Sequence, residues 1–351
     1  MKLQLGRDSA NRPVIWESTD NANILTTGRS GQGKSVQQSL IAGQLVSQGY
    51  HVVFLDSANE YGSNTFGKPL SWPPENARFL NLFSPMLPIQ TLFPNIFEDG
   101  SLERPELAAN RIANTFRLTM KLGSVQTSYL SNVIQDNFDS QQCCPLSALI
   151  EQIQEDAEDK NRTAQGLTYR FDIFRSFPEV DPEWSLPFDC PGVTIVNTSD
   201  ILDCAEQTLL MEILLSNLWF HKKAHPSTCP LVIMLDECQN VSFAKGLTPR
   251  KIIREGRKYH ISGCFSTQWT EKDGMDALGD AGLKLFFRPG DNAMKHALSQ
   301  LSSSTPGNRA QVRQDLSGLC PGEFLYRPDD GDVIWVNAKT EIHPGSAAVS
   351  I

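Results

Sequence analysis

The chain contains no long uninterrupted apolar run, and its N-terminus shows no charged-then-apolar leader. A membrane-spanning helix needs about 20 consecutive apolar residues, so neither a spanning segment nor a secretory leader is expected. Its eight cysteines are scattered through 351 residues without a C-x-x-C pair, and the adjacent Cys143 and Cys144 have a spacing that rarely bridges. That argues against a disulfide framework and a zinc ribbon, and predicts free thiols in a reducing compartment, the cytoplasm. The six histidines lack metal-ligand spacing. His221 and His225 can share a helix face, but Pro226 follows at once and no third ligand is near, which reads as a surface pair rather than a zinc site. Cationic charge is in deficit, 31 Lys and Arg against 40 Asp and Glu for a net −9. This argues against a protein coated in positive charge to hold nucleic acid. It leaves room for a basic strip on one face, such as the inside of a ring, because net charge describes the whole surface. Internal repeats and low-complexity tracts are missing too.

What is present is an ordinary globular composition, 40% hydrophobic and 20% charged, with length for about two domains. "LQLGRDSANRPVIWE" predicts two short strands around a polar turn. "ANILTTG" predicts a third strand, and "KSVQQSLIAGQLVSQGY" a helix with Val36, Leu40, Ile41 and Leu45 near helical spacing. "YHVVFLD" reads as a buried strand ending at Asp56, with "RFLNLF" a further candidate. From about Leu102 to Phe177 the pattern turns helical. Ala109, Ile112, Ala113 and Phe116 recur at i, i+3, i+4 and i+7, and Leu130, Val133, Ile134 and Phe138 do nearly the same. Leu146, Leu149, Ile150 and Ile153 mark a third helix, and Leu167, Phe171 and Phe174 a fourth. Strand character returns at "GVTIVNT". It is followed by a long helix from roughly Ala205 to Lys223, then "PLVIMLDE", a helix around Pro249 to His260, "ISGCFSTQ" and "LKLFFR". "GEFLYRPDDGDVIWVN" predicts a hairpin turning at Asp330-Gly331.

The alternation of strands and helices predicts an α/β fold, a mostly parallel sheet flanked by helices with a helical insertion. Three blocks are expected: residues 1–100 with the first part of the core, 101–185 as the helical insertion, and 186–351 as the remainder of the core.

Between the third strand and its helix lies Gly28-Arg29-Ser30-Gly31-Gln32-Gly33-Lys34-Ser35, a full match to G-x-x-x-x-G-K-[ST]. Glycines at these positions let successive N–H groups point at phosphate oxygens, and the helix N-terminus adds its dipole. The nucleotide-binding set is Gly28, Ser30, Gly31, Gly33, Lys34, Ser35 and Val36. Lys34 is expected to reach the β- and γ-phosphates, and Ser35 to bind Mg²⁺. "LVIMLDE" supplies a second half-site: Asp236 can share the Mg²⁺ shell with Ser35, and Glu237 can polarise a water for attack on the γ-phosphate. Gln268 ends a neighbouring apolar strand, where an amide can sense that phosphate.

Together, "GRSGQGKS", "VIMLDE" and "IIREGRKYHISGCFSTQ" resemble the HerA/FtsK superfamily of P-loop ATPases. "VVFLDSANEYGS" adds to the resemblance, since that family often carries an Asp and then Glu-Tyr after its second strand. The resemblance runs from about Leu5 to Trp335, with the helical insertion matching least. It implies ATP and Mg²⁺ as cofactors and a homo-hexameric ring that translocates double-stranded DNA through phosphate contacts. Lys34, Glu237 and Gln268 become catalytic, Ser35 and Asp236 hold Mg²⁺, and an arginine from a neighbouring subunit completes the site. Arg254 or Arg257 is the expected finger, sharing one helix face with Arg250 at i, i+4 and i+7 and with Lys251 and Lys258 close by, and Arg288 is the second choice. The loop from Asn240 to Leu247, with Lys245, and part of the insertion are candidate pore elements. The chain has no appended DNA-reading module, so a partner protein such as a nuclease is expected to supply specificity. Other readings are an ATP-dependent scaffold that organises such an effector, or a secretion-type protein motor. A guanine-reading N/T-K-x-D is missing, since "NAKT" at Asn337 to Thr340 has no aspartate.

Overall fold

A computed structural model describes the chain except residues 19–21, 62–76, 83, 85–86, 88, 90, 98, 142, 177–189, 200–203, 226–228, 269–275, 277, 303–305, 329–331 and 339–351. The expected hairpin turn at Asp330-Gly331 lies outside the described residues. The strands are β1 (Lys2–Arg7), β2 (Pro13–Glu17), β3 (Ile24–Thr27), β4 (His51–Asp56), β5 (Arg78–Asn81), β6 (Thr91–Leu92) and β7 (Cys144–Pro145), then β8 (Gly192–Asn197), β9 (Leu231–Leu235), β10 (Ile261–Thr267), β11 (Leu283–Phe287), β12 (Glu323–Tyr326) and β13 (Ile334–Asn337). The helices are α1 (Lys34–Ser47), α2 (Pro105–Met120), α3 (Ser124–Gln141), α4 (Leu146–Glu158), α5 (Arg162–Phe171), α6 (Cys204–Ala224), α7 (Thr248–Glu255), α8 (Asp291–Leu301) and α9 (Pro306–Gly318).

Eleven strands form one sheet in the order β2-β1-β13-β12-β11-β3-β10-β9-β4-β8-β5, and β6 pairs with β7 apart from it. From β11 to β5 neighbouring strands run parallel, and from β11 to β2 they run antiparallel. Parallel strands covered on both faces become continuous apolar runs, as in β9, where Leu231 to Leu235 are all buried. Side chains alternate between the faces of a strand, and the core divides accordingly. Val53, Leu55, Ile233 and Leu235 pack with α2 to α7. Val52, Phe54, Val232 and Met234 pack on the other side with Ile41, Ala42 and Leu45 of α1. The helical insertion therefore shares its apolar core with one face of the sheet. Phe286 and Leu325 bury a third cluster against α8 and α9.

The sequence pattern did not reveal α8 and α9. Their buried residues are few, Leu298, Leu301, Val312 and Leu316 among them, and most other positions are polar. The helix expected around Pro249 to His260 ends earlier: α7 stops at Glu255, and Gly256–Tyr259 forms a 3₁₀ turn that leads directly into β10. Gly256 sits against that strand, where an added Cβ would lie 2.3 Å from the Ile261 carbonyl oxygen. Backbone cannot yield as a flexible side chain can. Gly256→Ala is expected to destabilise the chain by about 2–3 kcal/mol, in the range of core overpacking, read as a lowered urea midpoint with an unchanged m-value.

Among the described residues no helix is long and apolar enough to cross a membrane. Cys143, Cys144, Cys190, Cys229, Cys238, Cys264 and Cys320 are free thiols.

Candidate active site

The parallel strands deliver their C-terminal ends to one edge of the molecule, and the site is assembled there. β3 leads into the glycine loop, with β10 and β11 as its neighbours. Gly28 N–H donates to the Thr267 carbonyl at 3.2 Å, Arg29 N–H to the Arg288 carbonyl at 3.1 Å, and Gly322 N–H to the Gln32 carbonyl at 2.8 Å. The loop is thus tied at both ends to neighbouring backbone. Gly28 has φ 152° and lies so close to β11 that a Cβ would stand 2.6 Å from Phe287 Cβ. Gly33, with φ 99°, caps α1 in the left-handed region, where a side chain is disfavoured. None of the N–H groups of Ser30 through Val36 meets a backbone acceptor among the described residues. This row of unpaired donors at a helix N-terminus is an anion cradle.

Lys34 is 6% exposed, and its Nζ donates to the Arg29 carbonyl at 3.2 Å. Burial pulls the ammonium pKa down, while the charges of Glu237, Asp236 and Glu60 oppose that shift. Ser35 Oγ lies 2.6 Å from Glu60 Oε2 and 3.3 Å from Asp236 Oδ2. Asp236, just past β9, is 2% exposed. Burial, followed by the charges of Glu60 and Glu237, raises its pKa, against the charge of Lys34. Two carboxylates thus meet at one hydroxyl, and their charges together with that of Glu237 act on the Lys34 ammonium. This excess of hard, negative oxygen suits a small divalent cation such as Mg²⁺, which is held by one or two carboxylates plus phosphates and water rather than by an all-protein cage. Among the described residues no group of three or more His, Cys, Asp or Glu is arranged to hold a metal ion by itself.

Glu237 has φ 55° and ψ 54°, a left-handed conformation uncommon outside glycine, and this turns its side chain back toward β10. Its carboxylate accepts from two amides, Gln268 on Oε1 and Gln239 on Oε2. Glu60 is set by the turn after β4: the buried Asp56 accepts the N–H groups of Glu60 and Tyr61, each at 2.9 Å. Tyr61 is buried and donates through its hydroxyl to Gln38 Oε1 at 2.7 Å.

The structure therefore brings Lys34, Ser35, Asp236, Glu237 and Gln268 into one cluster. It adds Glu60 and Gln239, for which sequence reasoning assigned no role. The Asp-x-x-x-Glu-Tyr spacing was the available signal for Glu60, whereas an amide within a turn carries none for Gln239.

The arginines are placed differently. Arg254 and Arg257 are exposed and line a cleft of about 340 Å³ with Asn23, Tyr50, His260 and Ser262. Those neighbours mark the N-terminal ends of β3, β4 and β10, so the cleft lies one strand length, roughly 20 Å, from the glycine loop. Lys251 turns inward from the same helix, partly buried over the Phe220 ring at 5.9 Å. Arg288 lies beside the glycine loop of its own chain, through the bond to Arg29. His221 and His225 have ring centroids 4.8 Å apart, with His225 Nδ1 3.1 Å from the His221 carbonyl.

No family model and no curated protein sequence matches the chain. Solved structures do. VirB4 of Thermoanaerobacter pseudethanolicus matches with TM-score 0.72 at 16% identity, covering 96% of each chain. The bacterial conjugative coupling protein TrwBdeltaN70, in an unbound form, matches with TM-score 0.63 at 12% identity, covering 95% of this chain and 88% of that one. The plasmid coupling protein TrwB in complex with ADP and Mg²⁺ gives 0.60 at 11% identity, covering 91% and 85%. The fold is the one these structures share, and the likeness extends over nearly the whole chain.

Proposed function

We propose that this chain is a Mg²⁺-dependent ATPase of the HerA/FtsK type, working as a homo-hexameric ring that translocates double-stranded DNA. The observation that carries the reading is the convergence of Lys34, Ser35, Asp236 and Glu237 at the C-terminal ends of β3 and β9, below a row of unpaired N–H donors. The fold likeness to TrwB, seen in complex with ADP and Mg²⁺, supports both cofactors.

In this reading the N–H groups of Ser30 through Val36 bind the phosphates, with Gly28, Gly31 and Gly33 leaving room for them. Lys34 neutralises charge on the β- and γ-phosphates. Ser35 and Asp236 would hold Mg²⁺, which when bound stabilises charge on the phosphate oxygens. Ser35 Oγ then turns from Glu60, its partner at 2.6 Å here. Glu237 accepts a proton from the attacking water, and Gln268, bonded to Glu237, links that base to the end of β10. In this reading Arg254 and Arg257, exposed and distant from the glycine loop of their own chain, face a neighbouring subunit's nucleotide. Lys245 is exposed in the loop after Glu237, where a change at the base can reach DNA phosphates.

The test is ATP turnover by the purified chain with and without double-stranded DNA at several salt concentrations. A translocase predicts stimulation that declines as salt rises, because phosphate contacts release counterions. Turnover indifferent to DNA at every salt concentration would contradict translocation and direct attention to the scaffold or secretion-type motor.

A further inference from the structure

Gln239 sits two residues beyond Glu237, in the 3₁₀ turn Cys238–Asn240. A carboxylate only accepts hydrogen bonds, so the Gln239 amide must turn its nitrogen toward Glu237 Oε2 and its oxygen away. That oxygen meets a donor: Thr267 Oγ1 lies 3.1 Å from Gln239 Oε1. Thr267 is 2% exposed, its carbonyl accepts the Gly28 N–H at 3.2 Å, and the next residue, Gln268, holds the other Glu237 oxygen. The end of β10 thus grips the carboxylate from both sides, through Gln268 directly and through Thr267 and Gln239 on the far oxygen. It also touches the first glycine of the phosphate loop.

We infer that Gln239 is a positioning residue for hydrolysis: its amide, aimed by Thr267, fixes the plane of the Glu237 carboxylate opposite Gln268. A carboxylate has about four lone-pair sites. Two are taken by the amides, and the others stay directed at the attacking water. The left-handed backbone at Glu237 folds the turn back far enough for an amide two residues later to reach the same side chain. The inference rests on reading Glu237 as the water-polarising base.

The experiment measures kcat and KM for ATP, with double-stranded DNA present, for Gln239→Ala, Gln239→Glu, Thr267→Val, the Gln239→Ala/Thr267→Val double variant and Glu237→Gln. Gln239→Ala is expected to lower kcat about tenfold with KM within about twofold, a fraction of the ~10²–10⁴ that a general base supplies. Glutamate is isosteric with glutamine, so Gln239→Glu keeps the packing but places a like charge against the base, and its kcat should fall further still. Thr267→Val is expected to cost about threefold alone and nothing more in the Gln239→Ala background, because the hydroxyl acts through that amide. Wild-type kcat in Gln239→Glu, or a Thr267→Val loss that persists in full without Gln239, would overturn the inference. Glu237→Gln separates the two readings. If it turns over ATP like the wild type, the assignment of the base fails. If it is inactive while Gln239→Ala and Gln239→Glu are unaffected, only the role of Gln239 fails.

Discussion

Glu237→Gln is expected to lower ATP turnover by about 10²–10⁴-fold, or about 3–5 kcal/mol of transition-state stabilisation, while ATP still binds with affinity within about threefold. The substitution keeps shape, removes the charge and the ability to take a proton, and leaves one oxygen instead of two to accept from Gln268 and Gln239. It also relieves repulsion, since Glu237 is one of two carboxylates whose charge raises the Asp236 pKa. A variant that binds ATP and fails to cleave it is therefore the expected phenotype. Fluorescent-nucleotide titration beside phosphate release checks it. Loss of binding in parallel with turnover would show that Glu237 supports the cradle rather than the chemistry.

Lys34→Ala is expected to fail at the earlier step. Lys34 is the cation held among Glu60, Asp236 and Glu237, three acids gathered around one phosphate loop. Without its ammonium the site keeps the acids and loses the charge that draws in a polyphosphate. Turnover should fall at least about a hundredfold, about 2.7 kcal/mol, and ATP affinity should fall with it. The same two measurements separate this variant from Glu237→Gln, because affinity falls here and is preserved there. Lys34→Arg, which keeps the charge but replaces a compact ammonium with a broad planar fork, should recover part of the binding and little of the turnover.

These two residues were legible from sequence for a definite reason. Lys34 belongs to a local motif whose geometry one stretch of chain determines, and Glu237 ends an apolar run of strand length. Gln268 was legible in the same way, as the polar end of β10. What could not be read locally depends on pairing between distant segments. Gln239 is remote in sequence from Thr267 and becomes its neighbour only because β9 and β10 lie side by side, with Phe265 opposite Leu235. Glu60 reaches Ser35 through a turn held by Asp56, which the strand pattern before it does not foretell. The antiparallel half of the sheet joins β1 to β13 across almost the full chain, and α8 and α9 expose too much polar surface for a helical stripe to stand out. The basic stretch after Pro249 was read as one helix face. The helix ends at Glu255, yet Arg254 before the break and Arg257 after it line one cleft far from their own phosphate loop, while Lys251 turns inward.

The central claim is that the loop from Gly28 to Ser35 holds a nucleotide that this chain cleaves. Phosphate release from ATP by wild type and Lys34→Ala, purified side by side, with and without Mg²⁺, tests it most directly. The account predicts release by the wild type that needs Mg²⁺ and is lost in Lys34→Ala. Release that survives Lys34→Ala would contradict it.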